Sequence, residues 1–186
     1  MAGLIDMIIN NPQIAGSIAK QVGIDIGDAD SVIGKLAPIL MGSAKKNLQS
    51  DQDSGGLLEQ IGNSQFSEML DKPEETMQRD DLTNIGNDIL GELTGSKENS
   101  RKVAKHVEQE TGMSASIIKK MLPMLAPLII GALTKKAAPS INEYQRQPQA
   151  QSGGLESMIT GMIDQDNDGS MIDDIMGMAM KHIFNA

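Results

Sequence analysis

The chain has 186 residues, enough for one domain or two small ones. Its formal charge of −9 argues against a general binder of nucleic acid or anionic membrane, since both need a basic footprint. The absence of cysteine excludes disulfides, thiolate metal sites and a cysteine nucleophile.

Aromatic residues are limited to Phe66, Tyr144 and Phe184, so a core has to come from Leu, Ile, Val, Ala and Met. The 14 methionines suit gap-filling in such a core, and they also suit an adaptable binding surface. The opening stretch, MAGLIDMIINNPQ, lacks a basic segment and is interrupted by Asp6 and Asn10. It does not read as a secretory signal, and a cytoplasmic protein is expected.

In chain order, Leu4, Ile5, Ile8 and Ile9 have helical spacing, and Pro12 stands where a second helix can begin. Ile14, Ile18 and Val22 make its stripe, with Gly23 as its stop. Asp28 or Asp30 is placed to cap the next helix, which runs through Pro38 toward Asn47. Residues 48–55 are a polar linker. Short helices are expected around Gly56–Ile61 and Ser64–Leu70, and PEETMQRDD reads as a loop or a short exposed helix. Leu82, Ile85, Ile89, Leu90 and Leu93 then mark a helix over 81–94. Val103 and Val107 mark another over 98–111, closed by Gly112. Ser114 or Ser116 caps the long apolar segment SIIKKMLPMLAPLIIGALTKK. The apolar run from Met121 to Leu133 is too short for a membrane span and contains prolines, so a buried core helix is expected.

That segment has an earlier counterpart. A shift of 89 positions carries Leu36, Ala37 and Pro38 onto Leu125, Ala126 and Pro127, and Gly42 onto Gly131. Leu4, Ala15 and Gly23 fall on Leu93, Ala104 and Gly112. The pattern reads as an internal duplication. The expected fold is all-α: two tandem copies of a helical repeat with kinked or broken proline-containing apolar helices, then a helix–acidic loop–helix tail. The copies are assigned to 1–70 and 71–136, a linker to 137–153 and the tail to 154–186. The two copies are expected to share one pseudo-symmetric body, because each alone is small for an aromatic-free core.

One stretch carries recognisable chemistry. Asp164, Asp166, Asp168, Gly169 and Ser170 match the first half of an EF-hand-type calcium loop, D-x-D-x-D-G. Ca²⁺ takes six to eight oxygens, which alternate residues of a tight loop can aim at one point. Glycine permits the turn, and Ser170 offers its backbone carbonyl. Ile175 stands where the usual bidentate Glu would be, leaving Asp173 or Asp174 to close the site. The competing reading is a capping box of Ser170 with Asp173, with acidic residues at a helix start. Calcium is favoured, because Asp164, Asp166 and Asp168 in one tight loop repel one another unless a cation sits among them. Mg²⁺ is disfavoured by its stricter octahedral geometry.

The two apolar segments and the acidic D-x-D-x-D-G-S-x-x-D-D stretch together resemble the bacterial "domain of unknown function 937" family, relatives of the YidB-like proteins. The resemblance covers most of the chain. It implies an all-helical cytosolic bacterial protein and no activity. Only Asp164, Asp166, Asp168, Asp173 and Asp174 match the family's acidic tail.

Other signals point to packing rather than chemistry. IAKQVGIDIGDADSVIGKL has Ala19 and Gly23 at helix-turn-helix spacing, but its candidate reading helix begins with Asp28, Ala29 and Asp30, which phosphates repel. In the second copy Lys119 and Lys120 are the basic candidates, but they stand before an apolar helix. The lysine pairs at 45–46, 119–120 and 135–136 lie near helix ends; those at 45–46 and 135–136 complement helix C-termini, and the pairs read as solvated caps or as contacts to an acidic partner such as another copy. His106 and His182 have no Ser or acidic partner at a recognisable spacing, and no phosphate loop is present. The expected protein is therefore non-catalytic and calcium-binding, acting through self-association or a protein partner, with no membrane span and no nucleic acid. A helix-turn-helix DNA-associated protein and a helical hydrolase are the alternatives.

Overall fold

The structure, a computed structural model, describes residues 3–49 and 54–146. Every element among them is an α-helix, as expected. In chain order these are α1 (Asp6–Ile9), α2 (Pro12–Val22), α3 (Ile26–Leu48), α4 (Ser54–Gly62), α5 (Ser64–Asp71), α6 (Pro73–Met77), α7 (Leu82–Thr94), α8 (Lys97–Thr111) and α9 (Ala115–Arg146). The apolar stretch within α9 is the axis of the fold: α1 to α5, α7 and α8 all pack on it.

Local chemistry explains where the helices start and stop. Asn11 caps α2 by accepting the Gln13 N–H at 3.1 Å, and Pro12 fills the first helical position, where no N–H is needed. Gly23 and Gly112 end α2 and α8 in the left-handed region, at φ 76° and 74°. Ser96 caps α8 by accepting the Asn99 N–H at 3.1 Å. The Asn47 side chain leaves α3 and donates to the Leu93 carbonyl at 2.9 Å, which satisfies an orphan acceptor at the end of α7. α3 begins at Ile26, earlier than a cap at Asp28 or Asp30 allows; Asp25 holds the cap position and Asp28 lies in the first turn. The extended backbone of Asp25 sets the start two residues after Gly23, without a side-chain hydrogen bond.

The core is one continuous cluster with contributions from α1 to α9. Ile14, Ile18, Leu36 and Ala37 are fully buried, and so are Val103, Val107, Leu125 and Ala126. Three buried hydroxyls are satisfied within their own helices: Ser43 donates to Ile39, Thr94 to Leu90 and Thr134 to Ile130, at 2.7–3.0 Å. Two glycines set how closely the axis is approached. A Cβ on Gly86 of α7 would lie 1.9 Å from the Pro123 carbonyl oxygen, and one on Gly131 of α9 would lie 2.1 Å from that of Phe66. Pro127 has no N–H to donate to the Pro123 carbonyl, so Gly86 lets α7 settle against a carbonyl that the helix itself cannot cover at i+4.

Several expectations are corrected. Neither Pro38 nor Pro127 breaks its helix. An interior proline costs about 3 kcal/mol. Leu36, Ile39, Leu40 and Met41 surround Pro38 at 4% exposure or less, and each such side chain contributes about 1.5–3 kcal/mol on burial, so packing outweighs the lost hydrogen bond. α9 does not stop at the expected boundary of 136: Ala137 is buried and the helix continues through Pro139 to Arg146. PEETMQRDD does contain a short helix, α6, with Glu74, Glu75 and residues 78–81 exposed, but Pro73, Thr76 and Met77 turn inward and are buried. The Thr76 hydroxyl donates to the Met69 carbonyl at 2.9 Å, fixing α6 on α5. Ala115–Ala137 is long and apolar enough to cross a membrane, so shortness is no argument; 83% of its apolar window is buried inside the protein.

Candidate functional site

The acidic stretch containing Asp164, Asp166, Asp168, Ser170, Asp173 and Asp174 lies outside the described residues, as do His182 and the expected tail. Among the described residues no group of three or more His, Asp or Glu side chains is placed to hold a metal. Surface features among the described residues include two grooves and a set of charged contacts.

The more distinctive groove, ≈ 320 Å³, lies where α7, α8 and the first turns of α9 meet. Leu90 and Gly91 come from α7, Lys97 and Arg101 from α8, and Lys119 and Leu122 from α9. Lys97 and Arg101 are four residues apart, so they share one face of α8. The short turn over residues 112–114, between α8 and α9, brings Lys119 to the same place. All three cations are exposed, none is in a salt bridge among the described residues, and no carboxylate lines the groove. Three positive charges over an apolar floor can hold an anion that also carries apolar side chains. Sequence reasoning singled out the pair Lys119 and Lys120 but not its grouping with Lys97 and Arg101, whose own signal was their four-residue spacing.

The larger groove, ≈ 570 Å³, runs between α2 and α6, lined among others by Ser17, Lys20, Glu74 and Met77. The Ser17 hydroxyl is buried without a hydrogen-bond partner. A lone donor between two charges of opposite sign does not select a ligand class.

The charged contacts tie helices together. Lys135 pairs with Asp71 at the end of α5, so this lysine is more than a solvated cap, and its acidic partner is in the same chain. Glu110 on α8 receives Lys35 of α3 at 3.3 Å and His106 at 3.4 Å. His106 therefore has an acidic partner after all, at i+4 on its own helix, a spacing visible in the sequence. The Glu108 carboxylate accepts the Ala115 N–H at 2.9 Å and so caps the start of α9. In the turn before α7, a side-chain hydrogen bond from Arg79 holds the Asp81 carboxyl below the ordinary carboxylate range. That pair's contribution to stability is present above the ordinary carboxylate pKa and is lost as pH falls through the depressed value. Asp28 and Asp30, on the helix-turn-helix-like segment, are exposed at the start of α3.

A family model described as "Bacterial protein of unknown function (DUF937)" matches residues 6–136. No curated protein and no solved structure matches the chain.

Proposed function

The chain belongs to the DUF937 family of bacterial proteins, and we propose that it is a non-catalytic, cytoplasmic helical protein that binds calcium through residues 164–174 and acts by associating with itself or a protein partner. The observation that carries this reading is the loop DQDNDGS: alternate carboxylates at Asp164, Asp166 and Asp168, the glycine at the sixth place, and Ser170 beyond it. Asp173 or Asp174 supplies the closing carboxylate. Met162, Met171, Met176, Met178 and Met180 flank the loop, and methionines suit an adaptable contact surface. Calcium would neutralise the aspartates and let this apolar material dock.

The helical body is read as a duplicated unit. In support, α3 begins at Ile26 and α9 at Ala115, each following a left-handed glycine, and these starts are 89 residues apart. The fully buried pairs Ile14 and Val103, Ile18 and Val107, and Leu36 and Leu125 have the same offset. Duplicated helical units bury their faces against one another, and the same kind of face can extend to another chain.

Calorimetric titration of the full chain with Ca²⁺ tests the metal. Saturable binding is expected, and Asp164→Asn combined with Asp168→Asn abolishes it. Absence of binding heat in the unaltered protein, or equal binding in the double variant, removes calcium from the account.

A further inference from the structure

We infer that the basic groove between α7, α8 and α9 is the docking site for the chain's own acidic segment, Asp164–Asp174, when that segment carries no calcium. The inference rests on the proposed calcium reading only for its release step. Three observations support it. The first is charge complementarity. Lys97, Arg101 and Lys119 are exposed, without ion pairs among the described residues, and no carboxylate lines their groove. The segment places Asp164, Asp166, Asp168, Asp173 and Asp174 within 11 residues with no lysine or arginine among them. In an otherwise acidic protein, an uncompensated group of three cations is the surface that would hold such a segment in place.

The second is apolar complementarity. Leu90 and Leu122 floor the groove, and Met171 and Ile172 interrupt the acidic residues. A free inorganic anion would use the cations but not this floor.

The third is reach. Lys119 and Arg146 both belong to α9 and are about 40 Å apart at roughly 1.5 Å rise per residue. The chain from Arg146 to Asp164 is 18 residues, which spans up to about 60 Å at roughly 3.3 Å per residue. The segment can therefore return to the groove of its own chain, at the high effective concentration that a tether gives.

Calcium and the groove compete for the same carboxylates. Calcium bound to the aspartates offsets two of their five negative charges and occupies the carboxylates that Lys97, Arg101 and Lys119 would hold, and so frees the segment and its methionines.

The test uses the full chain, which has no native cysteine, with a spin label on Thr160→Cys, ahead of the loop. In chelator at low salt, the amide signals of Asn87, Lys97 and Arg101 are expected to broaden, and high salt or the K97E/R101E/K119E triple variant restores them. A sample mixing labelled chains with separate isotope-enriched chains should give no broadening, because the contact is within one chain. Broadening that is absent in chelator, survives the triple variant, or occurs only between chains overturns the proposal. If the groove contact is present but indifferent to calcium, the docking stands and the calcium reading fails.

Discussion

Gly86→Ala and Gly131→Ala are each expected to destabilise the protein by about 3 kcal/mol, a fall in melting temperature of about 6–12 °C. The added methyl group would meet backbone, not a flexible side chain: the Pro123 carbonyl oxygen at 1.9 Å and the Phe66 carbonyl oxygen at 2.1 Å. Relief requires α7 or α5 to move away from α9, which loosens buried neighbours such as Leu90 and Leu70. The intrinsic preference of a helix for alanine over glycine, up to about 1 kcal/mol, opposes this and is too small to offset it. Gly91 is the control on the same helix. Nothing lies within 4 Å of a Cβ there, so Gly91→Ala should stabilise by roughly 0.5–1 kcal/mol. Urea unfolding followed by circular dichroism measures all three variants. Equal effects at Gly86 and Gly91 would contradict the close approach of α7 to α9.

The second large effect is expected in the core. Leu36 of α3 and Leu125 of α9 are both fully buried in the same apolar cluster. Truncating either to alanine should cost about 2–5 kcal/mol, from lost transfer energy plus the cavity left behind. The form of the unfolding transition is as informative as its midpoint. With a shared core, either substitution should lower a single cooperative transition observed by calorimetry. Two resolved transitions, only one of which responds to Leu36→Ala, would mean that the halves unfold separately.

Much of this fold was legible because its signals are local. Pro12 after Asn11, Gly23 and Gly112 as helix stops, and the stripe Leu82, Ile89, Leu90 and Leu93 are each decided within a turn or two of helix. What was not legible depends on distant partners. Pro38 reads as a helix breaker until the burial of Leu36, Ile39 and Leu40 is known. Thr76 and Met77 sit in a charged stretch whose burial is set by α2 and α5. Lys135 reads as a solvated cap because its partner Asp71 is 64 positions away. The groove behaves in the same way. Lys97 and Arg101 are visible as a pair, but Lys119 joins them only through the return from α8 to α9. The metal-loop reading, by contrast, rests on consecutive residues, 164–174, and its argument is one of spacing and charge throughout.

Light scattering of the full chain, first in chelator and then in calcium, tests the central claim most directly. A rise in mass on adding calcium is predicted, with no rise in the Asp164→Asn, Asp168→Asn double variant. The same mass in both conditions would contradict a calcium-controlled association.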